Sequence, residues 1–263
     1  EEYPYTTYMK AIALFQSESE HTESEHTDFL RYVQTHIGRY KELYAQQEEA
    51  YRQFHTGLLR SDLPVIGLRA PLLRKIAAEI AKEDGVGFLR ICGRETYEER
   101  LLYGFVAAAL PVSYAEFLPY CDTYTETIVE NWAHCDSFCA SLKKRIKGHE
   151  TEFFEHIKRY LASENPWAVR VGLILMLNYY LIPAYLPAVL ERTDAVQSEQ
   201  YYVRMGQAWL LATAWAKDRD TCRAYLSHHH LDAWVFRKFI QKACESYRVS
   251  AEDKAYLRSL RKK

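Results

Sequence analysis

Residues 168–174 read AVRVGLI and residues 202–208 read YVRMGQA. The same frame recurs as EERLLYG at 98–104, HCDSFCA at 134–140 and VFRKFIQ at 235–241. The third positions of these segments are Arg100, Asp136, Arg170, Arg204 and Arg237, at intervals of 36, 34, 34 and 33 residues. A period in the thirties, carried by helical patterning with no strand alternation between copies, marks stacked helix pairs. One pair cannot bury its own apolar face, so its neighbours must cover it. The fold this predicts is all-α, an α-solenoid of HEAT-like helical repeats forming a single curved domain.

Local signals agree with that frame. Thr96-Tyr97-Glu98-Glu99 and Ser113-Tyr114-Ala115-Glu116 are capping boxes, in which a hydroxyl covers a free backbone N–H and the Glu reaches back. Asn165-Pro166 joins a cap residue to a proline suited to the first helical turn, and Ser250 to Asp253 reads as another start. Ten glycines and eight prolines are too few for a turn-rich sandwich or barrel. The longest apolar run, Val171 to Leu177, is far short of the roughly 20 residues of a membrane span. Six cysteines (Cys92, Cys121, Cys135, Cys139, Cys222 and Cys244) are too sparse for a disulfide scaffold, and no secretory signal is legible. A cytoplasmic monomer is expected.

The net charge of −1 conceals a segregation. Glu1, Glu2, Glu18, Glu20, Glu23, Glu25 and Asp28 face only Lys10 within the first 30 residues, so the rest of the chain is weakly basic. Residues 1–27 are expected to form an acidic, flexible extension that holds at most a loose helix near residues 8–15. Residues 28–263 are expected to form the repeat domain. Stacked repeats place equivalent positions in a row, so the third positions form a ladder of four arginines interrupted by Asp136. Two readings of the ladder are open: ion pairs between repeats, or a cationic stripe that tracks a phosphate backbone. An acid in a phosphate-binding stripe costs binding and requires a reason. Asp136 also lies four residues after Trp132, on one helical face, where full burial of a carboxylate would be expensive.

The segments Glu130-Asn131-Trp132-Ala133-His134-Cys135-Asp136, Asn165-Pro166-Trp167-Ala168-Val169-Arg170 and Val203-Arg204-Met205-Gly206-Gln207-Ala208-Trp209 resemble the AlkD-like DNA alkylation repair family. Those proteins are alkylpurine DNA glycosylases built from HEAT-like repeats. Tyr51 to His55 and Ile66 to Ala77 are similar to the family's opening helices, and Gln241 to Arg248 to its closing one, so the likeness spans roughly residues 28–262. It implies that Asp136 is the catalytic aspartate, that Trp132 and Trp209 are the active-site tryptophans, and that Arg170 holds the DNA backbone at the lesion. Repeat phasing reaches Asp136 and Arg170 independently, whereas Trp209 rests on the resemblance alone. Arg100, Trp167, Arg204 and Arg237 are the further expected DNA contacts. Ala212 departs from the family pattern, because it stands where other members carry a basic DNA-contacting residue.

The implied function is hydrolysis of the N-glycosidic bond of cationic alkylpurines, N3-methyladenine and N7-methylguanine, in double-stranded DNA, leaving an abasic site. No metal or organic cofactor is implied. His134, Cys135 and Cys139 match no zinc spacing, and His228-His229-His230 reads as a solvated loop. The alternative is a HEAT-like scaffold without catalysis, binding DNA structure or a protein. Asp136 separates the two, since a plain DNA binder has no use for a carboxylate among arginines.

Overall fold

The computed structural model describes residues 49–59, 61–65 and 67–261. The acidic extension expected over residues 1–27, the loose helix at 8–15 and the start of the repeat domain at residue 28 lie outside the described residues. Within them all regular secondary structure is helical, with no strand. It divides into two compact units, the first ending at Tyr124 and the second beginning at Thr125.

The first unit contains α1 (Glu49–Leu59), α2 (Ala70–Ile91), α3 (Tyr97–Ala109) and α4 (Tyr114–Thr123). Both anticipated capping boxes form, with Thr96 and Ser113 accepting from the backbone N–H of Glu99 and Glu116. Helix α2 breaks at Asp84, whose backbone leaves the helical region at φ −157° and ψ 70°. The Asp84 carboxylate then accepts from the Gly87 N–H at 2.9 Å and so starts the second half of the helix. Gly67, at φ 101°, adopts a conformation that an L side chain resists. That turn lets the N–H groups of Gly67 and Leu68 donate to the buried Glu98 carboxylate at the start of α3.

The second unit opens on the last residues of a π-helical turn (Tyr124–Ile128) and continues through nine helices. These are α5 (Trp132–Cys139), α6 (Lys143–Ile146), α7 (Glu150–Leu161), α8 (Pro166–Tyr179), α9 (Leu186–Ala195), α10 (Tyr201–Lys217), α11 (Arg219–Leu226), α12 (Ala233–Glu245) and α13 (Ala251–Leu260). Helices α5, α8, α10 and α12 pack side by side as one layer, and α7, α9, α11 and α13 form a second layer against it. This is the stacking of helix pairs that the period requires. The ladder residues Asp136, Arg170, Arg204 and Arg237 each fall four or five residues into successive helices of the first layer.

Helix α8 shows why the stack holds. From Ala168 to Leu177 every residue is buried, because α5, α7 and α10 surround it. Each large aliphatic side chain buried there contributes about 1.5–3 kcal/mol. Asn165 caps α8 by accepting from the Trp167 N–H at 2.9 Å, as its sequence position suggests. The second layer is tied by arginines: Arg192 of α9 reaches Phe154 and Glu155 of α7, and Arg219 of α11 pairs with Asp253 of α13 at 3.5 Å. All six cysteines are free thiols. No helix of the described chain is long and apolar enough to cross a membrane.

Candidate active site

The site begins with the caps that orient two helices. Asn131 accepts from the His134 N–H at 2.9 Å and starts α5, so Trp132 occupies the first helical position. Trp132 and Asp136 then share a face one turn apart, both half-buried. Asn165 does more than cap α8: its Nδ2 donates to the Glu126 carbonyl at 3.0 Å, in the segment that leads into α5. The Glu126 carboxylate in turn accepts two hydrogen bonds from Arg159 of α7, at 2.6 and 2.8 Å. The first turn of α8 is thereby set against the entry to α5.

Across that contact Arg170 addresses Asp136 with a fork. Arg170 Nε and Nη2 donate to Asp136 Oδ1 at 3.2 and 3.0 Å, and Nη2 also donates to Oδ2 at 3.0 Å. Its Nη1 donates to the Tyr202 carbonyl at 2.7 Å, so one guanidinium joins α5, α8 and α10. The Arg170 side chain is only 6% exposed, whereas Asp136 keeps 22% of its side chain open to solvent. Burial pushes the Asp136 carboxyl above its ordinary value, and the Arg170 charge and hydrogen bonds oppose that rise. The result is a carboxylate held rigidly by an arginine that lies behind it.

Of the two readings of the ladder, pairing between repeats is the one realised at Asp136 and Arg170. Two of the other arginines are engaged as well. Arg100 Nε donates to the Arg94 carbonyl at 2.8 Å, and Arg204 Nε donates to the Ser198 carbonyl at 2.7 Å, each reaching back six residues to clamp the loop before its own helix. Arg204 also stands 3.9 Å from Asp232 and over the Trp234 ring. Arg237 is exposed. At Arg100, Arg170 and Arg204 the guanidinium therefore turns to a backbone carbonyl or a carboxylate, and Arg237 alone of the four is exposed.

Trp167 is half-buried and packs tilted against Tyr202, the residue whose carbonyl Arg170 grips, with ring centres 5.2 Å apart. Trp209 is 38% exposed and lies seven residues beyond Tyr202 along α10, about 10 Å up the helix axis. It borders an open cavity of about 400 Å³ with Ala212, Thr213 and Ala216 of its own helix. His134, Cys135 and Cys139 are buried. Among the described residues no three His, Cys, Asp or Glu side chains stand together as a metal site.

Two contributors escaped sequence reading. The Tyr202 carbonyl is a backbone group and leaves no trace in residue type. The second hydrogen bond of Asn165 reaches 39 residues back to Glu126, and only its role as a cap has a local signal.

Fold and site together define an all-helical repeat protein that presents an arginine-oriented carboxylate beside a tryptophan. The model of the DNA alkylation repair enzyme family matches residues 40–243, which include every ladder residue and all three of these tryptophans, and the chain belongs to that family. Comparison with curated proteins finds no match.

Proposed function

We propose that this protein is a DNA glycosylase that hydrolyses the N-glycosidic bond of cationic alkylpurines, N3-methyladenine and N7-methylguanine, in duplex DNA. Membership of a DNA alkylation repair family supports DNA as the partner and alkyl damage as the target. The observation that carries the reading is the Arg170 fork on the partly open Asp136 carboxylate. A fixed negative charge suits a reaction that builds positive charge on a sugar.

An N3- or N7-alkylated purine is already cationic, so it leaves without protonation. When the C1′–N bond breaks, its electron pair returns to the base, which becomes neutral, and positive charge collects on the deoxyribose. Ionised Asp136 stabilises that charge and accepts a hydrogen bond from the water that adds to C1′. The proton released by this water passes to the carboxylate and then to solvent. The indole faces of Trp132 and Trp209 attract the same cation, at about 0.5–2 kcal/mol each. Neither a metal nor an organic cofactor is needed, because the leaving group carries its own activation.

Arg170 is a positioning residue in this scheme. Its fork is directed at Asp136, and turning it to a phosphate would strip a buried guanidinium of its partner. Exposed Arg237 is the best-supported of the expected DNA contacts. Arg204, Arg100 and Trp167 would touch DNA only through the edges that their internal contacts leave open.

The test is release of N7-methylguanine and N3-methyladenine from methylated duplex DNA by wild type and by Asp136→Asn. Release by wild type, with release lost and DNA binding kept in the variant, is the expected outcome. Salt-sensitive DNA binding without release by either protein would replace the glycosylase with a non-catalytic DNA binder.

A further inference from the structure

Asn165 makes one more hydrogen bond than a helix cap requires. Its Oδ1 accepts from the Trp167 N–H at 2.9 Å and starts α8, a role that serine or aspartate fills about as well. Its Nδ2 donates to the Glu126 carbonyl at 3.0 Å, 39 residues back. An aspartate has no N–H to give, and a serine hydroxyl ends closer to its own backbone. Only the second bond separates asparagine from those residues.

Glu126 is a suitable anchor for that bond. It lies in the π-helical turn Tyr124–Ile128, near a helix end, where the last carbonyls find no N–H ahead of them in the helix. Its carboxylate is held independently by Arg159 of α7, with hydrogen bonds of 2.6 and 2.8 Å. Backbone and side chain of one residue are thus gripped by the next helix pair, α7 and α8. Six residues further on the chain reaches Trp132, and ten further on it reaches Asp136.

The segment that carries Asp136 is therefore joined to α8 at two points, Glu126 with Asn165 and Asp136 with Arg170. Asn165 and Arg170 are five residues apart, roughly 7.5 Å along the helix axis. The fork alone would act as a pivot about which α5 could swing. A second joint at that distance removes the swing. We infer that Asn165 is a positioning residue: through Glu126 it fixes the angle between α5 and α8, and so the direction in which the open side of the Asp136 carboxylate faces. The inference rests on the reading of Asp136 as the group that meets the substrate. It adds to that reading a residue that acts through the backbone of a third.

The experiment compares wild type with Asn165→Ser, Asn165→Asp and a control, Ser250→Ala. The first two variants keep an α8 cap and lose the Nδ2 donor. The control removes a cap from α13, where Ser250 accepts from the Asp253 N–H at 3.1 Å. The measurements are unfolding temperature, affinity for duplex DNA, single-turnover release of N7-methylguanine at saturating protein across pH, and titration of the Asp136 carboxyl by NMR. Release by both Asn165 variants should fall about ten- to a hundredfold with duplex affinity unchanged. In Asn165→Ser the Asp136 carboxyl should titrate at higher pH than in wild type, because a slackened fork lends it less of the opposing Arg170 charge. The acid limb of release should move with it. Ser250→Ala should lower the unfolding temperature and leave release and titration at their wild-type values.

Wild-type release and an unshifted Asp136 titration in Asn165→Ser, or losses that Ser250→Ala matches, would reduce Asn165 to a cap and overturn the inference. The glycosylase reading would then still stand on release by wild type. A wild type that releases no base would sink that reading, and the Asp136 titration in Asn165→Ser would still decide for or against the second joint.

Discussion

Asp136 and Arg170 pair across two repeats, and that pair couples stability to the proposed chemistry. The fork fixes where the carboxylate points, but both charges sit in a partly dry environment. Removing one member leaves the other buried without a partner, which typically costs about 3–5 kcal/mol, whereas replacing both with apolar groups is often neutral. Asp136→Leu, which strands an arginine only 6% exposed, should therefore lower unfolding free energy by about 3 kcal/mol or more. The double variant Asp136→Leu/Arg170→Met should recover most of that loss in denaturant titrations while remaining inactive. Losses that simply add would show that the two side chains do not interact.

Protonation of the same residue acts in opposite directions on folding and on the proposed catalysis. The folded-state pKa of Asp136 lies above its ordinary value of 3.8, so the fold favours the protonated form. The stability this group contributes is complete below its unfolded-state pKa and is lost as pH rises through the folded value. The proposed glycosylase mechanism needs the ionised form, so under it single-turnover excision should fall as pH drops through that same value, on the alkaline side of 3.8. An acid limb at or below 3.8 would mean that Asp136 is not the group being titrated.

At the scale of elements, local chemistry and close packing divide the work. Thr96, Ser113, Asn165 and Ser250 all act as the caps their sequence context announces, because a cap is made by groups two or three residues apart. The break in α2 at Asp84 and the π-helical turn at Tyr124–Ile128 are not announced in this way. Packing can be tested with two helical glycines. A β-carbon on Gly104 would stand 2.6 Å from the Tyr124 ring, and Tyr124 is fully buried. Gly104→Ala should therefore destabilise by about 1–3 kcal/mol through overpacking. On Gly206 the β-carbon would meet Leu173 at 3.5 Å and Arg170 at 3.6 Å, which is ordinary contact. Gly206→Ala should leave the unfolding temperature unchanged or raise it, since alanine is the better helix former by about 1 kcal/mol. The reverse order of the two variants in thermal melts would refute this account of the α3 and α10 contacts.

Across the whole molecule, the period of the sequence was enough to specify the all-α class and the phase of the first-layer helices. A repeat of about 34 residues has to bury each helix pair against the next, so hydrophobic spacing alone carries that information. It also singled out Asp136 and Arg170, which sit at equivalent depths in α5 and α8. Which partner each arginine takes was decided only in the tertiary structure. Arg170 turns to Asp136 and the Tyr202 carbonyl, while Arg100 and Arg204 turn back to the carbonyls of Arg94 and Ser198. Repeat phasing treats these arginines as equivalent, because a period records position along a helix and not the nearest acceptor. Direction is set when the helices pack and the closest oxygen, on a neighbouring helix or on the chain's own loop, captures the guanidinium. The cavity at Trp209 has the same origin: its walls come from residues some thirty positions apart, and they meet only because α12 lies against α10.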